Sequence, residues 1–379
     1  MKLDLFPSPA DYPGKRLFSL DLLRGIDMFY LAVVGVVLHP LLKAVGAGES
    51  WSAFLIEHPW EGFSLYDLVM PLFIFMSGAA VPFALGSRLE NGRPTATFHK
   101  HVWTRFAMLW VLGMLAQGRL ESFDLLEISP YNNTLQTIAV GYVAAAYTLL
   151  IPCWKTKIAI PVLLTVAYGL IVHFGGDYTK AGNATVKPEI EILSFLLPAG
   201  NVNIENVVKH GYTWFLPSMM FPVIALSGAF STEILRSKVW GEWRRAAYLS
   251  AFGVGSLAVG WILAFAGVRM VKHIFTVSFT LQAIGWSVLL LAALYVITDI
   301  WRLRRGTGVL LLFGQYALTA YLCKSVFKDA CRCVGERALG GLPRLFPEAW
   351  QGVASALVFS AVVVAVVVIR RKLAVAKSK

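Results

Sequence analysis

The stretch Leu55–Leu85 reads LIEHPWEGFSLYDLVMPLFIFMSGAAVPFAL and decides how the rest of the chain is interpreted. A polar, aromatic run that carries His58, Trp60, Glu61 and Asp67 leads directly into an apolar run. A titratable cluster therefore lies where a membrane helix is expected to begin. This placement favours chemistry at a membrane surface.

The composition predicts an all-α, polytopic integral membrane protein. Of 379 residues, 57% are hydrophobic and only 15% are charged, and the mean hydropathy is +0.64. Continuous apolar runs of this kind exclude a membrane barrel, whose strands would alternate. By length, about ten runs could cross a bilayer as helices, at residues 26–46, 65–86, 103–118, 133–152, 157–175, 213–232, 246–267, 276–299, 308–327 and 350–369.

The distribution of Lys and Arg predicts the orientation of the chain. If the N-terminus is cytoplasmic, the tails and the loops on that side hold 22 of the 34 basic residues. Because basic residues concentrate on the cytoplasmic side, both termini are expected there. The predicted outer connection 324–348 is the exception, with five basic residues, namely Lys324, Lys328, Arg332, Arg337 and Arg344.

The predicted organisation is a single transmembrane domain over residues 1–379. It has a cytoplasmic tail at 1–20, a long outer loop at 176–213 that could cover a substrate cleft, and a basic cytoplasmic tail at 370–379. The net charge of +12 lies mostly in short cytoplasmic loops, so topology and anionic lipid explain it. Basic residues do not cluster with aromatics in a soluble segment, which excludes nucleic-acid binding.

Residues 16–29, RLFSLDLLRGIDMF, carry three charged residues on one helix face. Asp21 and Arg24 are three apart and are expected to form an ion pair at the inner membrane surface. Asp27 lies one turn deeper, where an unpaired carboxylate costs about 2.5–3.5 kcal/mol on insertion scales, so we expect it to be paired. The trio is interpreted as a structural ion network.

Other polar side chains fall at predicted outer ends of spans. Asn133 and Gln136 share a face, and amides at that depth need either neighbouring helices or a polar ligand as partners. His273 follows Arg269 and Lys272 in a compact cationic group that could contact an anion or a sugar, with interfacial snorkelling as the alternative. No closely spaced Cys and His residues occur, so no metal site is expected.

The chain resembles the heparan-α-glucosaminide N-acetyltransferase family and its bacterial relatives. The resemblance rests on R-L-x-S-L-D-x-x-R-G-x-D-M-F at 16–29, H-P-W-E-G-F-x-x-Y-D-L-V-x-P-L-F-I-F-x-x-G at 58–78, and L-Q-x-I-A at 135–139. Weaker matches are K-H-I-F-T at 272–276 and G-Q-Y-A-L-T-A-Y at 314–321. These motifs extend over about residues 16–325.

The resemblance implies an acetyl-CoA-dependent membrane acyltransferase, here of a bacterial inner membrane, with acetyl-CoA as co-substrate and no metal. Its acceptor would be an amino sugar or a sugar hydroxyl of a glycan on the outer side. The family's essential histidine matches His58. CoA would approach Arg24, Arg88 and Arg105 from the cytoplasm, and the acceptor would bind near Trp60, Glu61, Asn133, Gln136 and His273. The sequence leaves open whether the protein forms a homodimer.

The residues themselves agree with this role. Acyl transfer needs a group that accepts a proton near neutral pH, and imidazole, with an ordinary pKa of about 6.5, suits it. His58 could deprotonate the acceptor or carry the acetyl group itself, and Asp67 could orient the imidazole and stabilise its cation. The alternative is a proton-coupled transporter of a small polar or sugar-like solute, with His58 and Asp67 as a proton relay.

Overall fold

A computed structural model describes residues 17–46, 60–85, 89–90, 93–117, 130–197, 204–210 and 212–377. Within these ranges the chain is helical, apart from one antiparallel hairpin of two very short strands, β1 (Leu89–Glu90) and β2 (Arg93–Pro94). The predicted all-α fold is therefore confirmed, with these two short strands as the one named strand pair in the described chain.

Fifteen α-helices occur in the described ranges. They are α1 (Phe18–Phe29), α2 (Gly35–Ala44), α3 (Val69–Leu85), α4 (Ala96–Ala116), α5 (Thr134–Thr148), α6 (Trp154–Phe174), α7 (Val186–Leu196), α8 (Ile204–His210), α9 (Met220–Arg236), α10 (Glu242–Phe265), α11 (Val277–Tyr295), α12 (Gly308–Gln315), α13 (Ala317–Ser325), α14 (Lys328–Leu339) and α15 (Glu348–Lys377). A π-helical turn joins α1 to α2, and short 3₁₀ turns precede α3, α9 and α15.

Seven helical segments of the described chain are long and apolar enough to cross a membrane. This supports a multi-pass integral membrane protein. The segments are Phe18–Ala44, Tyr66–Ala84, Trp154–Phe174, Leu216–Arg236, Glu242–Phe265, Val277–Ile300 and Glu348–Ala376.

Three further predicted spans are helical but do not join that set. Helix α4 carries His, Lys and Arg along its first half, and α5 has 15 residues, which is about 22 Å and short of the roughly 30 Å hydrocarbon core. The span predicted at 308–327 is divided into α12 and α13 at Tyr316. Ten spans are thus not confirmed, and the side on which each terminus lies stays a prediction.

The described residues cluster into two compact units. The first, unit 1, takes residues 17–46, 64–69 and 293–377, and the second, unit 2, takes the rest. In unit 1, α1 packs along α12, and α15 packs against α2, α13 and α14. Its apolar core contains Phe18, Leu22 and Leu311.

Glycines set the closest helix contact of unit 1. A Cβ added at Gly25 of α1 would lie 1.9 Å from the Leu310 carbonyl oxygen, and one added at Gly314 of α12 would lie 2.2 Å from the Asp21 carbonyl oxygen. Only residues without a side chain let the two backbones approach this closely. The described residues 17–29 and the segment 314–321, which carry two of the motifs, are therefore packed on each other.

Unit 2 is a helical bundle in which α9 packs against α5, α6 and α10, and α4 packs along α5. Helices α3 and α9 cross at Gly78 and Gly228, where an added Cβ would lie 1.8 Å from the Ala225 oxygen and 2.0 Å from the Phe75 oxygen, respectively. The Thr232 hydroxyl also donates to the Ala79 carbonyl at 2.8 Å. These contacts fix α3, whose N-terminal end follows the segment 60–68.

The predicted long outer loop is not structureless. It contains α7 and α8, and between α6 and α7 a turn is held by Asn183, whose Nδ2 donates to the carbonyls of Thr179 and Lys180. The Asn183 side-chain oxygen accepts from the Thr185 backbone and hydroxyl, which leads the chain into α7. The loop thus places α7 in a defined position in unit 2.

Candidate functional site

Unit 2 gathers an aromatic cluster at one end of its bundle, built around Trp60. The Trp60 and His273 rings stack with centroids 5.1 Å apart and planes at 20°. The Trp60 Nε1 donates to the Tyr178 carbonyl at 2.7 Å, which fixes the orientation of the indole, and the Lys180 ammonium lies 5.6 Å from its ring centroid. Two residues predicted to bind the acceptor, Trp60 and His273, are thus in contact.

The backbone around Trp60 is joined to the segment before α11. Glu61 and Val271 form an isolated antiparallel bridge, and the Gly62 N–H donates to the Met270 carbonyl at 2.9 Å. Gly62 has a φ of +134°, which favours glycine. The Arg269 guanidinium also contacts the Glu61 carboxylate at 3.2 Å, with both side chains about half exposed.

The segment after His273 has a constrained backbone. Phe275 is fully buried and has a φ of +46°, a left-handed conformation that is uncommon for a bulky residue. Hydrogen bonds from Phe275 N to Lys272 O and from Val271 N to the Thr276 hydroxyl hold the turn, at 2.9 and 3.0 Å. This over-determined turn presents His273 to Trp60.

The cluster continues from His273 towards α9 through two aromatic residues. Tyr212 lies 4.3 Å from His273 and stacks on Trp214 at 5.3 Å, and the Trp214 Nε1 donates to the Asn132 side-chain oxygen at 2.6 Å. Tyr212, Trp214, Tyr178 and Asn132 were not predicted as site residues. For Tyr212 and Trp214 the sequence signal is the aromatic run YTWF at 212–215, at the start of a predicted span.

Asn133 and Gln136 form local hydrogen bonds at the start of α5. The Asn133 side-chain oxygen accepts from the Leu135 N–H at 2.9 Å and so caps the helix. Gln136 is fully buried; its Oε1 accepts from the Asn132 N–H at 2.8 Å and its Nε2 donates to the Pro130 carbonyl at 2.7 Å. These bonds position Asn132, which in turn holds the Trp214 indole.

Glu189 of α7 is a buried carboxyl group beside this cluster. It is 2% exposed, and its Oε2 accepts from the backbone N–H groups of Trp214 and Phe215, both at 3.0 Å. Burial raises the pKa of Glu189 to about 7, although the two N–H groups lower it. A carboxyl group that titrates near neutrality marks candidate functional sites.

Asp67, in unit 1, forms a reciprocal cap at the start of the helix that becomes α3. Its Oδ2 accepts from the Ser64 N–H and hydroxyl at 2.9 and 2.8 Å, and its own N–H donates to the Ser64 hydroxyl. The side chain is fully buried. His58, its predicted catalytic partner, lies outside the described residues, so a His58–Asp67 pair stays a prediction.

Part of the predicted ion network of α1 is present. The Arg24 guanidinium donates to Asp21 Oδ1 at 3.1 Å. Asp27 is 3% exposed, and its Oδ2 has no hydrogen-bond partner in the described part of unit 1. Arg24 therefore pairs with Asp21, and the expected pairing of Asp27 is not seen at this oxygen among the described residues.

Of the other residues predicted to bind CoA, Arg105 of α4 lies with its guanidinium 4.4 Å above the Tyr142 ring in unit 2. Such a contact stabilises a cation among helices. Arg88 lies outside the described residues. The predicted CoA contacts are not tested by these positions.

No group of three or more His, Cys, Asp or Glu side chains that could hold a metal ion occurs in the ranges that the structure describes. The expectation that the protein uses no metal stays a prediction. All four cysteines are described and carry free thiols.

Over 108 residues the chain is 32% identical to heparan-alpha-glucosaminide N-acetyltransferase of Mus musculus. That is a distant acyltransferase relative. The similar region covers 28% of this chain and 16% of the mouse protein, so the chain matches only a small part of that relative's length. No protein-family model matches the chain.

Proposed function

We propose that the protein is a multi-pass membrane acyltransferase of a bacterial inner membrane. It would transfer an acetyl group from cytoplasmic acetyl-CoA to an amino sugar or a sugar hydroxyl on the outer side. The observation that carries this proposal is the 32% identity over 108 residues to a mouse enzyme whose name is that of an N-acetyltransferase. The seven apolar helices support the membrane setting.

The aromatic cluster of unit 2 is the proposed acceptor site. The stacked pair Trp60 and His273, extended by Tyr212, offers flat apolar faces of the kind on which a sugar ring packs. The exposed Glu61–Arg269 pair lies beside them and supplies an acceptor and donors for sugar hydroxyls. A few polar groups around an apolar surface are typical of small-molecule sites.

His58 is the proposed catalytic group. As a general base it would take a proton from the acceptor nitrogen or oxygen while that atom attacks the thioester carbonyl; the C–S bond breaks and CoA leaves as the thiol, taking up the proton. As an acetyl carrier it would first form an acyl–imidazole with loss of the CoA thiol, and the acceptor would then displace the imidazole. In either route Asp67 would stabilise the imidazolium.

The decisive experiment uses the full chain purified in detergent, with acetyl-CoA carrying radiolabel in its acetyl group. Transfer to a panel of amino sugars is measured for the wild type and for His58→Ala. His39→Ala is the matched control, because His39 is an exposed histidine of α2 far from the 58–67 segment in sequence. We expect label on sugar with the wild type and the control, and none with His58→Ala.

The same measurement separates the alternatives. Label that stays on the wild-type protein and is released by a sugar supports the acetyl carrier, whereas label found only on sugar supports direct transfer. Protein that neither binds CoA nor labels any acceptor would refute the acyltransferase and favour the transporter.

A further inference from the structure

Unit 1 contains a large cavity that the proposed reaction does not use. Its volume is about 980 Å³, within the range of small-molecule sites. It lies among α2, α13, α14 and the N-terminal turns of α15. We call it the basic cavity, because its charged lining consists of Lys324, Lys328, Arg332, Arg344 and Glu336.

The charges of the basic cavity favour an anion. Four cations face one carboxylate, and that carboxylate, Glu336, is already paired with Arg332 at 2.9 Å. The Arg332 side chain is 69% exposed and can still present donors to a ligand. Arginine donates in a planar fork that matches phosphate oxygens, and lysine adds compact positive charge.

The basic cavity also has apolar lining residues, which belong to helices that are long and apolar enough to cross a membrane. Val358 and Phe359 belong to α15, which is long and apolar enough to cross the bilayer, and Val36 belongs to α2 of the first such segment. Gln351 and Ser355 line the cavity nearer the start of α15. Cations at the end of a span beside an apolar wall match an amphiphile with a phosphate headgroup and acyl chains.

The same residues stand out in the sequence. The connection 324–348 holds five basic residues, and four of them line the basic cavity; Arg337 does not. A bound anion would compensate these charges. We propose that the basic cavity binds the phosphate group of an anionic phospholipid, at a site separate from the acyl-transfer site.

The test uses the full chain in mixed detergent micelles containing phosphatidylglycerol or phosphatidylcholine, with retained lipid counted by native mass spectrometry. The cavity variant combines Lys324→Gln, Lys328→Gln, Arg332→Gln and Arg344→Gln. The control variant removes four exposed charges of unit 1 that do not line the cavity, by Arg302→Gln, Arg305→Gln, Arg337→Gln and Lys372→Gln. Both variants must elute from size exclusion as the wild type does.

The expected result is selective retention of phosphatidylglycerol by the wild type and the control. Each cation removed from the cavity should weaken the affinity for phosphatidylglycerol about fivefold. The variant with all four replacements should therefore bind this lipid at least about a hundredfold more weakly. Titration calorimetry with pyrophosphate measures whether the cavity binds a soluble phosphate compound instead of a lipid. Pyrophosphate binding that needs the four cations, without lipid selectivity, would overturn the lipid assignment and retain the phosphate chemistry. Equal behaviour of the cavity and control variants with both probes would overturn the proposal.

Discussion

Replacing Glu189 by Gln should change how the stability of the protein depends on pH. Glu189 is buried in unit 2, and its pKa is raised from an ordinary 4.5 to about 7 by burial. Below about pH 4.5 the folded and the unfolded chain both bind the proton. Between 4.5 and 7 the unfolded chain releases it and the folded chain keeps it, so the free energy of unfolding falls as the pH rises.

The size of the effect follows from the two pKa values. They differ by about 2.5 units, and at about 1.36 kcal/mol per unit this gives roughly 3 kcal/mol, all of it lost above about pH 7. Soluble proteins have an unfolding entropy near 2.1 cal/mol/K per residue, so for a chain of 379 residues 3 kcal/mol corresponds to a change in Tm of roughly 4 °C.

The assay is thermal unfolding of the detergent-purified protein from pH 4.5 to pH 8.5, recorded for the wild type and for Glu189→Gln. The wild-type Tm minus the variant Tm should fall by roughly 4 °C across this range. Glu191→Gln is the matched control, because Glu191 is exposed on the same helix. A difference that is flat, or that rises with pH, would show that Glu189 is ionised in the folded protein and that its two N–H contacts outweigh burial.

Three further outcomes are expected. Gly78→Ala should destabilise the protein by about 1–3 kcal/mol, since the new Cβ would overlap the backbone of Ala225, whereas Gly255→Ala, which meets nothing within 4 Å, should not lower the Tm. Ser64→Ala removes the cap of the α3 start and should cost about 1 kcal/mol, read as a lower Tm. Trp60→Ala should raise the KM for a sugar acceptor about 3- to 10-fold with little change in KM for acetyl-CoA, and a parallel rise in both would contradict the acceptor site.

The helical fold could be predicted because a membrane chain must satisfy its backbone within each span, so long apolar runs translate directly into helices. The prediction weakens where polar residues interrupt the run. Helix α4 begins among His and Lys residues, and the span predicted at 308–327 breaks at Tyr316. Their mean hydropathy predicts that such segments are spans. Where each helix begins, ends or breaks depends on its packing against other helices, which the hydropathy of the segment does not contain.

The site was predicted in part for a similar reason. Trp60 and His273 were both chosen from the sequence, but their stacking depends on a backbone bridge between Glu61 and Val271, which are far apart in the chain and which no local pattern connects. Glu189 looked like one of several acidic residues of a polar loop. In the fold it is buried, and the two N–H groups that it accepts from lie 25 and 26 residues further along the chain.

The motifs that carry the family resemblance make different kinds of contact in the two units. Residues 17–29 and 314–321 meet through Gly25 and Gly314, so similarity there reports a close helix contact, which any protein with this packing would need whatever it catalyses. Where residues 60–62 and 270–276 meet, Trp60, Glu61 and His273 are half-buried or exposed beside a turn whose other residues are buried. Packing alone does not require polar and aromatic side chains at such positions. The second pair adjoins His58 in sequence, and we propose that similarity there reflects the chemistry of the site. Loss of transfer in His58→Ala and a higher acceptor KM in Trp60→Ala would together tie that chemistry to the second pair.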